Sequence, residues 1–313
     1  MGSSGGTGVH RAGSALQRRR GFLRAAGVGC SVGLLGLARA TGAAASDARA
    51  SAAPGAELDT DLIRTGLYLI RGGGGNSLLR LSANGMLLVD GKLPGTYRAL
   101  MAQVRRISKL SDMPVRVLVL TDHHAEHAGD SARFVAAGIT VVAQREALAN
   151  LALPESSEPA GRSRVIAYDD EQTLKLGGVE LQLKHFGPAR TGGDTVVLFP
   201  DLKIVALGDL FVTEAPEPDY CAGGSLVGWG AVLARVLELD FDRAVPGSGP
   251  VVGRDAIVAF KDKVDALASR AGALVRSGVG KEALMSRLRT DDLGWQVHFS
   301  GAALDGLYAE LSR

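Results

Sequence analysis

The chain has 313 residues, 46% hydrophobic and 22% charged, with 35 basic against 33 acidic side chains. That apolar content excludes global disorder, and a net charge of +2 offers no basic footprint for nucleic acid. Two cysteines exclude a disulfide framework or a cysteine-rich zinc module, and the length predicts one or two domains.

The first 45 residues differ from the rest. They hold six arginines and no acid, and without them the chain carries 29 basic against 33 acidic residues. Arg19-Arg20-Gly21-Phe22-Leu23-Arg24 resembles a twin-arginine export signal. An uncharged Gly/Ala-rich stretch follows from Ala25 to Ala38, and Ala43-Ala44-Ala45 supplies an A-x-A cleavage pattern. Fourteen uncharged residues fall short of the ~20 that span a bilayer. A disordered basic tail or an uncleaved anchor is the competing reading. Cleavage there predicts a periplasmic or secreted chain with no remaining membrane attachment and with Cys221 as its single thiol.

Residues 46–60 are Ala-rich and polar and read as a linker. Short apolar runs at Leu67–Ile70, Ser77–Leu81 and Met86–Asp90, separated by Gly72–Asn76 and Ala83-Asn84-Gly85, predict a strand meander. Tyr97, Leu100, Val104 and Ile107 share helical spacing. Val115–Leu120 is apolar except for Arg116, as in a strand buried on both faces, and Val141-Val142 suggests another. Further strands are predicted at Val179–Leu183, Thr195–Phe199 and Lys203–Leu207, and a helix at Leu226–Leu239. After Pro250, apolar stripes run through Ile257, Phe260, Val264 and Leu267, then Leu284 and Leu288, then Leu304, Leu307 and Leu311. Alternating strands and helices in two similar halves predict an α/β sandwich with a helical C-terminal extension.

Chemistry concentrates after the Val115–Leu120 strand, in Thr121-Asp122-His123-His124-Ala125-Glu126-His127-Ala128-Gly129. Three of the six histidines fall within five positions beside two carboxylates, side chains that ligate zinc or a similar ion. The same residues also suit a solvated helix start capped by Asp122.

This loop resembles the H-x-H-x-D-H motif of the metallo-β-lactamase superfamily, an αββα sandwich that usually holds one or two zinc ions. Gly187–Asp194 resembles the segment carrying that family's third metal-site histidine, Gly208-Asp209-Leu210-Phe211 the segment with the bridging aspartate, and Val245–Pro250 the P-G-H-G-P segment. The resemblance spans residues 61–255, with 256–313 as the helical extension. Asp90 at a strand end fits as well.

The pattern is degenerate. Asp122 and Glu126 stand where the resemblance implies His and Asp, while Arg190 and Ser248 replace two histidines. His124, His127 and Asp209 match in type. Arginine has no lone pair at usable pH, so Arg190 cannot ligate a metal. A bidentate Asp122–Arg190 pair could stand in for the ion at the first site. At the second site Glu126, His127 and Asp209 offer three N/O ligands, enough for one zinc (iron being the lesser expectation) with an open position. His123 and His185 are substitutes that the motif does not point at the site.

Two functions follow. One is a mononuclear metal hydrolase acting on an ester, thioester or related bond. There Glu126, His127 and Asp209 hold the ion, with His124 and Asp122 at the metal edge, while His124 and Arg190 act on water and substrate. The other is a metal-free binding or scaffold protein for a small anionic ligand. Cys221 reads as a packed or incidental thiol rather than a nucleophile, and Trp229 and Trp295 as core or helix-packing residues rather than substrate platforms.

Overall fold

The apolar runs form strands whose alternate residues face opposite layers, in a computed structural model that describes residues 57–108, 113–151, 153 and 164–313. The leader with its twin arginines, and most of the linker stretch, lie outside those residues.

Among the described residues, a seven-stranded sheet holds β1 (Asp59–Arg64), β2 (Leu67–Arg71), β3 (Ser77–Ser82), β4 (Gly85–Val89), β5 (Val115–Val119), β6 (Thr140–Gln144) and β7 (Val165–Tyr168), in that spatial order. The first four pair antiparallel, and β4 to β7 are parallel. Helices α1 (Tyr97–Ile107), α2 (Ala125–Ala128), α3 (Ser131–Ala136) and α4 (Arg145–Asn150) lie between them in the chain. A six-stranded sheet follows, with β8 (Glu171–Leu176), β9 (Val179–Lys184), β10 (Val196–Phe199), β11 (Ile204–Gly208), β12 (Arg243–Pro246) and β13 (Val252–Gly253). Only β11 and β12 are parallel there. Helix α5 (Leu226–Leu237) connects those two, and α6 (Arg254–Arg276), α7 (Lys281–Arg287) and α8 (Gly301–Leu311) complete the chain.

The strand period sorts the side chains into layers. Leu87 and Val89 of β4, Val119 of β5, Val197 and Phe199 of β10, and Ile204 and Ala206 of β11 meet between the sheets. Their alternates Met86, Leu88 and Leu118 face outward onto Leu100 and Val104 of α1 and Phe134 of α3. On the other side Val196, Leu198, Val205 and Leu207 face Trp229, Val232 and Leu233 of α5 and Ile257, Phe260 and Val264 of α6. The result is the α/β/β/α layering expected from the sequence.

Helix α1 matches the predicted stripe, with Leu100 and Val104 buried and Arg105 and Arg106 in its last turn, where cations oppose the helix dipole favourably. Strand β1 begins at Asp59, inside the stretch read as linker, and its exposed residues carry no apolar run to announce it. The last helices join one core with α5: Leu284, Trp295, Phe299 and Leu307 are buried in it. Helix α8 is tied to the sandwich by Glu310. Its carboxylate accepts from Tyr220 Oη at 2.7 Å, from the Leu226 amide at 3.1 Å and, at a short distance, from Ser225 Oγ. Gly306 of α8 lies flat against the Tyr220 ring, where a Cβ would clash.

Candidate metal centre

The site forms where β4 and β5 of one sheet end beside β11 and β12 of the other. Asp90 follows β4 with φ of 62°, a left-handed conformation that aspartate adopts more readily than most residues. This places its carboxylate under the loop after β5, where it accepts from the Thr121 amide at 2.8 Å and Thr121 Oγ1 at 2.7 Å. The same carboxylate holds His127 Nδ1 at 2.9 Å, leaving Nε2 facing Asp209 Oδ1 at 3.3 Å. His127 is fully buried, clamped by backbone that only glycine permits: a Cβ on Gly75 would lie 2.8 Å from its Cε1. Asn76 fixes the facing wall, donating from Nδ2 to the carbonyls of Pro246 and Gly249 at 2.9 and 3.0 Å.

Electrostatics follow from this packing. Burial opposes charge on His127, but Asp122, Asp90 and Asp209 outweigh it and hold its pKa well above the usual imidazole range. Burial raises Asp90 despite His127, whereas His127 overcomes burial at Asp209 and keeps that carboxylate low. Burial likewise opposes the charged form of His124, yet Asp122 and Asp219 lift it to about 10. Asp219, paired with His124, is lowered to about 2.

The structure gathers the sequence-predicted residues into overlapping groups. Glu126, His127 and Asp209 each offer a ligand atom within 4.8 Å of the others, as do Asp122, His124 and Asp209. Glu126 lies in the first turn of α2, one residue before His127, and despite its extra methylene brings a carboxylate oxygen into the first group. Ser248 is exposed beside the buried Gly247. His185 is directed elsewhere, with Nδ1 at 2.8 Å from the Asp194 carbonyl. The Asp122–Arg190 pair is not what forms. Arg190 Nε instead lies 3.8 Å from Asp209 Oδ2, and its Nη1 donates to the Glu217 carbonyl. Asp122 turns inward, accepting from the His124 amide at 2.8 Å, with Oδ2 at 3.5 Å from His124 Nδ1. The reason is position: Arg190 comes from the β9–β10 loop and meets β11's end before it can reach the buried Asp122.

This donor set fits a divalent ion. Asp122 Oδ2 and His124 Nδ1 are buried without a hydrogen-bond partner, and both residues belong to the second group. The 3.3 Å between His127 Nε2 and Asp209 Oδ1 matches the edge of a tetrahedron with ligands at about 2.0–2.1 Å. Asp90 on His127 Nδ1 is the carboxylate–histidine arrangement that orients a metal-bound imidazole.

Above these residues opens a cavity of about 720 Å³, within the size range of small-molecule sites. His124, Glu126, Arg190 and Asp209 lie at its base, while Tyr220 and Cys221 form one side and Ala302 and Ala303 of α8 another. Sequence reasoning missed Asp219, which no motif spacing connects to the histidine loop, and missed that the C-terminal helix lines the chamber. Trp229 is fully buried, its indole donating to the Leu210 carbonyl at 2.9 Å, in keeping with a packing role.

The family model described as the metallo-beta-lactamase superfamily matches residues 70–248. Subunit alpha of a 2,4-dinitroanisole O-demethylase from Nocardioides sp. (strain JS1661) is 27% identical over 229 residues, covering 71% of this chain and 67% of that protein. Among solved structures, a metallo-beta-lactamase from Pontibacter korlensis aligns with a TM-score of 0.57 at 19% identity, over 66% of this chain and 99% of that one. The metallo-beta-lactamase FIM-1 from Pseudomonas aeruginosa, in its mono-zinc form, gives 0.55 at 20% identity over 68% and 96% of the two chains. The metallo-beta-lactamase DIM-1 gives 0.56 at 17% over 67% and 98%. These identities establish a shared fold.

Proposed function

The chain belongs to the metallo-beta-lactamase superfamily, and we propose that it is a metal-dependent hydrolase of small organic substrates, holding one zinc ion on Glu126, His127 and Asp209. The observation that carries this reading is the convergence of those three side chains at the chamber base, with His127 oriented by Asp90. Zinc there would supply a Lewis acid and make water nucleophilic near neutral pH.

The chain's own residues do the rest. Asp90 fixes the His127 ring so that Nε2 faces Asp209, the edge on which zinc would be held. His124, held near Asp122 and Asp219, lines the chamber beside the place of water and the leaving group. Arg190 places a permanent cation beside the base, where it can steady an anionic substrate or a developing oxyanion. Ala302 and Ala303 of helix α8 form one wall of the chamber. Esters and thioesters are the first substrates to test. The curated relative is named for removing a methyl group from a nitroaryl ether, which adds aryl ethers to that set.

Arg190 favours a second reading, a metal-free member binding small anions, because a cation already sits 3.8 Å from a candidate ligand. Elemental analysis of protein purified without added metal or chelator decides between them. About one zinc per chain, lost in Glu126→Gln and Asp209→Asn, with ester hydrolysis abolished by chelator and restored by zinc, is the expected result. No metal, with a melting temperature indifferent to zinc, would replace it with the anion-binding reading.

Export by the twin-arginine route, leaving a periplasmic or secreted chain after removal of residues 1–45, is part of the same proposal. Changing Arg19 and Arg20 together to lysine should trap the precursor inside the cell. Unchanged fractionation would remove this part.

A further inference from the structure

We propose that His123, His124 and Asp219 form a second divalent-cation site at the rim of the chamber, sharing no ligand with the Glu126–His127–Asp209 group. One ligand atom from each lies within 4.8 Å of the others. Both imidazoles present Nε2 to a single oxygen, Asp219 Oδ2, at 3.9 Å from His123 and 3.3 Å from His124.

That oxygen is the one Asp219 has to spare. Its Oδ1 accepts from the Cys221 and Ala222 amides at 3.1 Å each, and its own amide donates to the Arg190 carbonyl at 2.7 Å. The carboxylate is therefore locked with Oδ2 toward the histidines.

His123 makes the stronger case for a ligand. Its Nδ1 is buried without a hydrogen-bond partner, and at 3.9 Å its Nε2 is too far from Asp219 for a hydrogen bond. Nε2 is thus left with a free lone pair or N–H directed at the Asp219 carboxylate, and is available to a cation placed between them. His124 Nδ1 lies 3.5 Å from Asp122 Oδ2, which leaves Nε2 as the atom turned to the rim. The rings are stacked, with centroids 4.5 Å apart and planes at 29°, so both edges face one side.

Two imidazoles and one carboxylate suit zinc with a further position open to the chamber, which His124 and Asp219 line. Arg190, the neighbouring cation, is turned to Asp209 and the Glu217 carbonyl.

The test is zinc stoichiometry of the full chain equilibrated with zinc alone, compared with His123→Gln, Asp219→Asn and His127→Gln, each checked for native circular dichroism. Two equivalents are expected in the wild type and one in each of His123→Gln and Asp219→Asn, with His127→Gln keeping the rim ion. Zinc content unchanged in both His123→Gln and Asp219→Asn overturns the rim site. A single ion lost in His127→Gln and kept in His123→Gln overturns it too, and leaves the base site standing. A single ion lost in His123→Gln and kept in His127→Gln supports the rim site and overturns the base assignment. No ion in the wild type overturns both.

Discussion

His127 and His123 come from the same loop, four residues apart, and they end in opposite circumstances. At the base, His127 is fully buried and both its nitrogens face carboxylates, Asp90 and Asp209. At the rim, His123 is half-buried and neither nitrogen has a hydrogen-bond partner among the described residues. The difference teaches that one polar loop can serve stability and ligand capture separately. The base is a closed electrostatic network whose loss the fold must feel. The rim is an open one, whose loss only a ligand should notice.

The largest expected effect is at the base. Replacing His127 with alanine strands Asp90 and Asp209 as buried carboxylates, and should cost about 3–5 kcal/mol of stability, measured by denaturant unfolding of the zinc-free protein. A cost below that of an ordinary surface substitution would erase the contrast with the rim.

Next comes a buried acid beside the site. Burial raises Asp194 to about 7, although the Thr191 amide and hydroxyl hydrogen bonds oppose that shift. Since this folded-state value exceeds the unfolded value of 3.8, the folded chain binds the extra proton between those limits. Its contribution is therefore full below about pH 4 and lost as pH rises toward 7, at up to about 1.4 kcal/mol per pH unit. Asp194→Asn should flatten that part of the stability–pH curve. Parallel curves for the two proteins would show that Asp194 stays ionised.

A conservative change sharpens the comparison further. Asp90→Asn keeps the shape but removes the charge that orients His127, and should weaken zinc binding about 10–100-fold, read by competition with a chromophoric chelator. The smallest effect is expected at Arg190, which is partly exposed and paired at 3.8 Å. Arg190→Met should change stability by less than about 1 kcal/mol while raising zinc affinity several-fold through loss of a neighbouring cation. Unaltered affinity would mean that the guanidinium does not compete with the ion.

Much of the layering was legible because burial on both faces demands unbroken apolar runs. Strands β4, β10 and β11 carry such runs, β5 does so apart from Arg116, and helix α1 showed its buried stripe at Leu100 and Val104. What escaped were strands with weak hydrophobic patterning or a turn-like residue. In β8, Glu171 to Leu176 alternates exposed and partly buried residues with little hydrophobic contrast, and β12 ends in Pro246, a residue that reads as a turn. At the site, Glu126, His127 and Asp209 could be placed because each follows a recognisable strand end. The partner of Arg190 could not, since residue type shows that Arg190 needs an anion and not which loop supplies it. Asp219 was further out of reach. It lies 95 residues beyond His124, between Pro218 and Tyr220, and only tertiary packing brings the two together.

The clasp made by Glu310 has a consequence for how such a chamber could diversify. It anchors one end of α8, while Ala302 and Ala303 at the other end form chamber wall. Capacity and chemistry are thereby written in separate stretches of sequence. Larger or smaller residues at positions 302 and 303 would resize the chamber without touching a ligand loop. A mutational library confined to that one helix is accordingly a compact way to vary the chamber while the loops at its base stay unchanged.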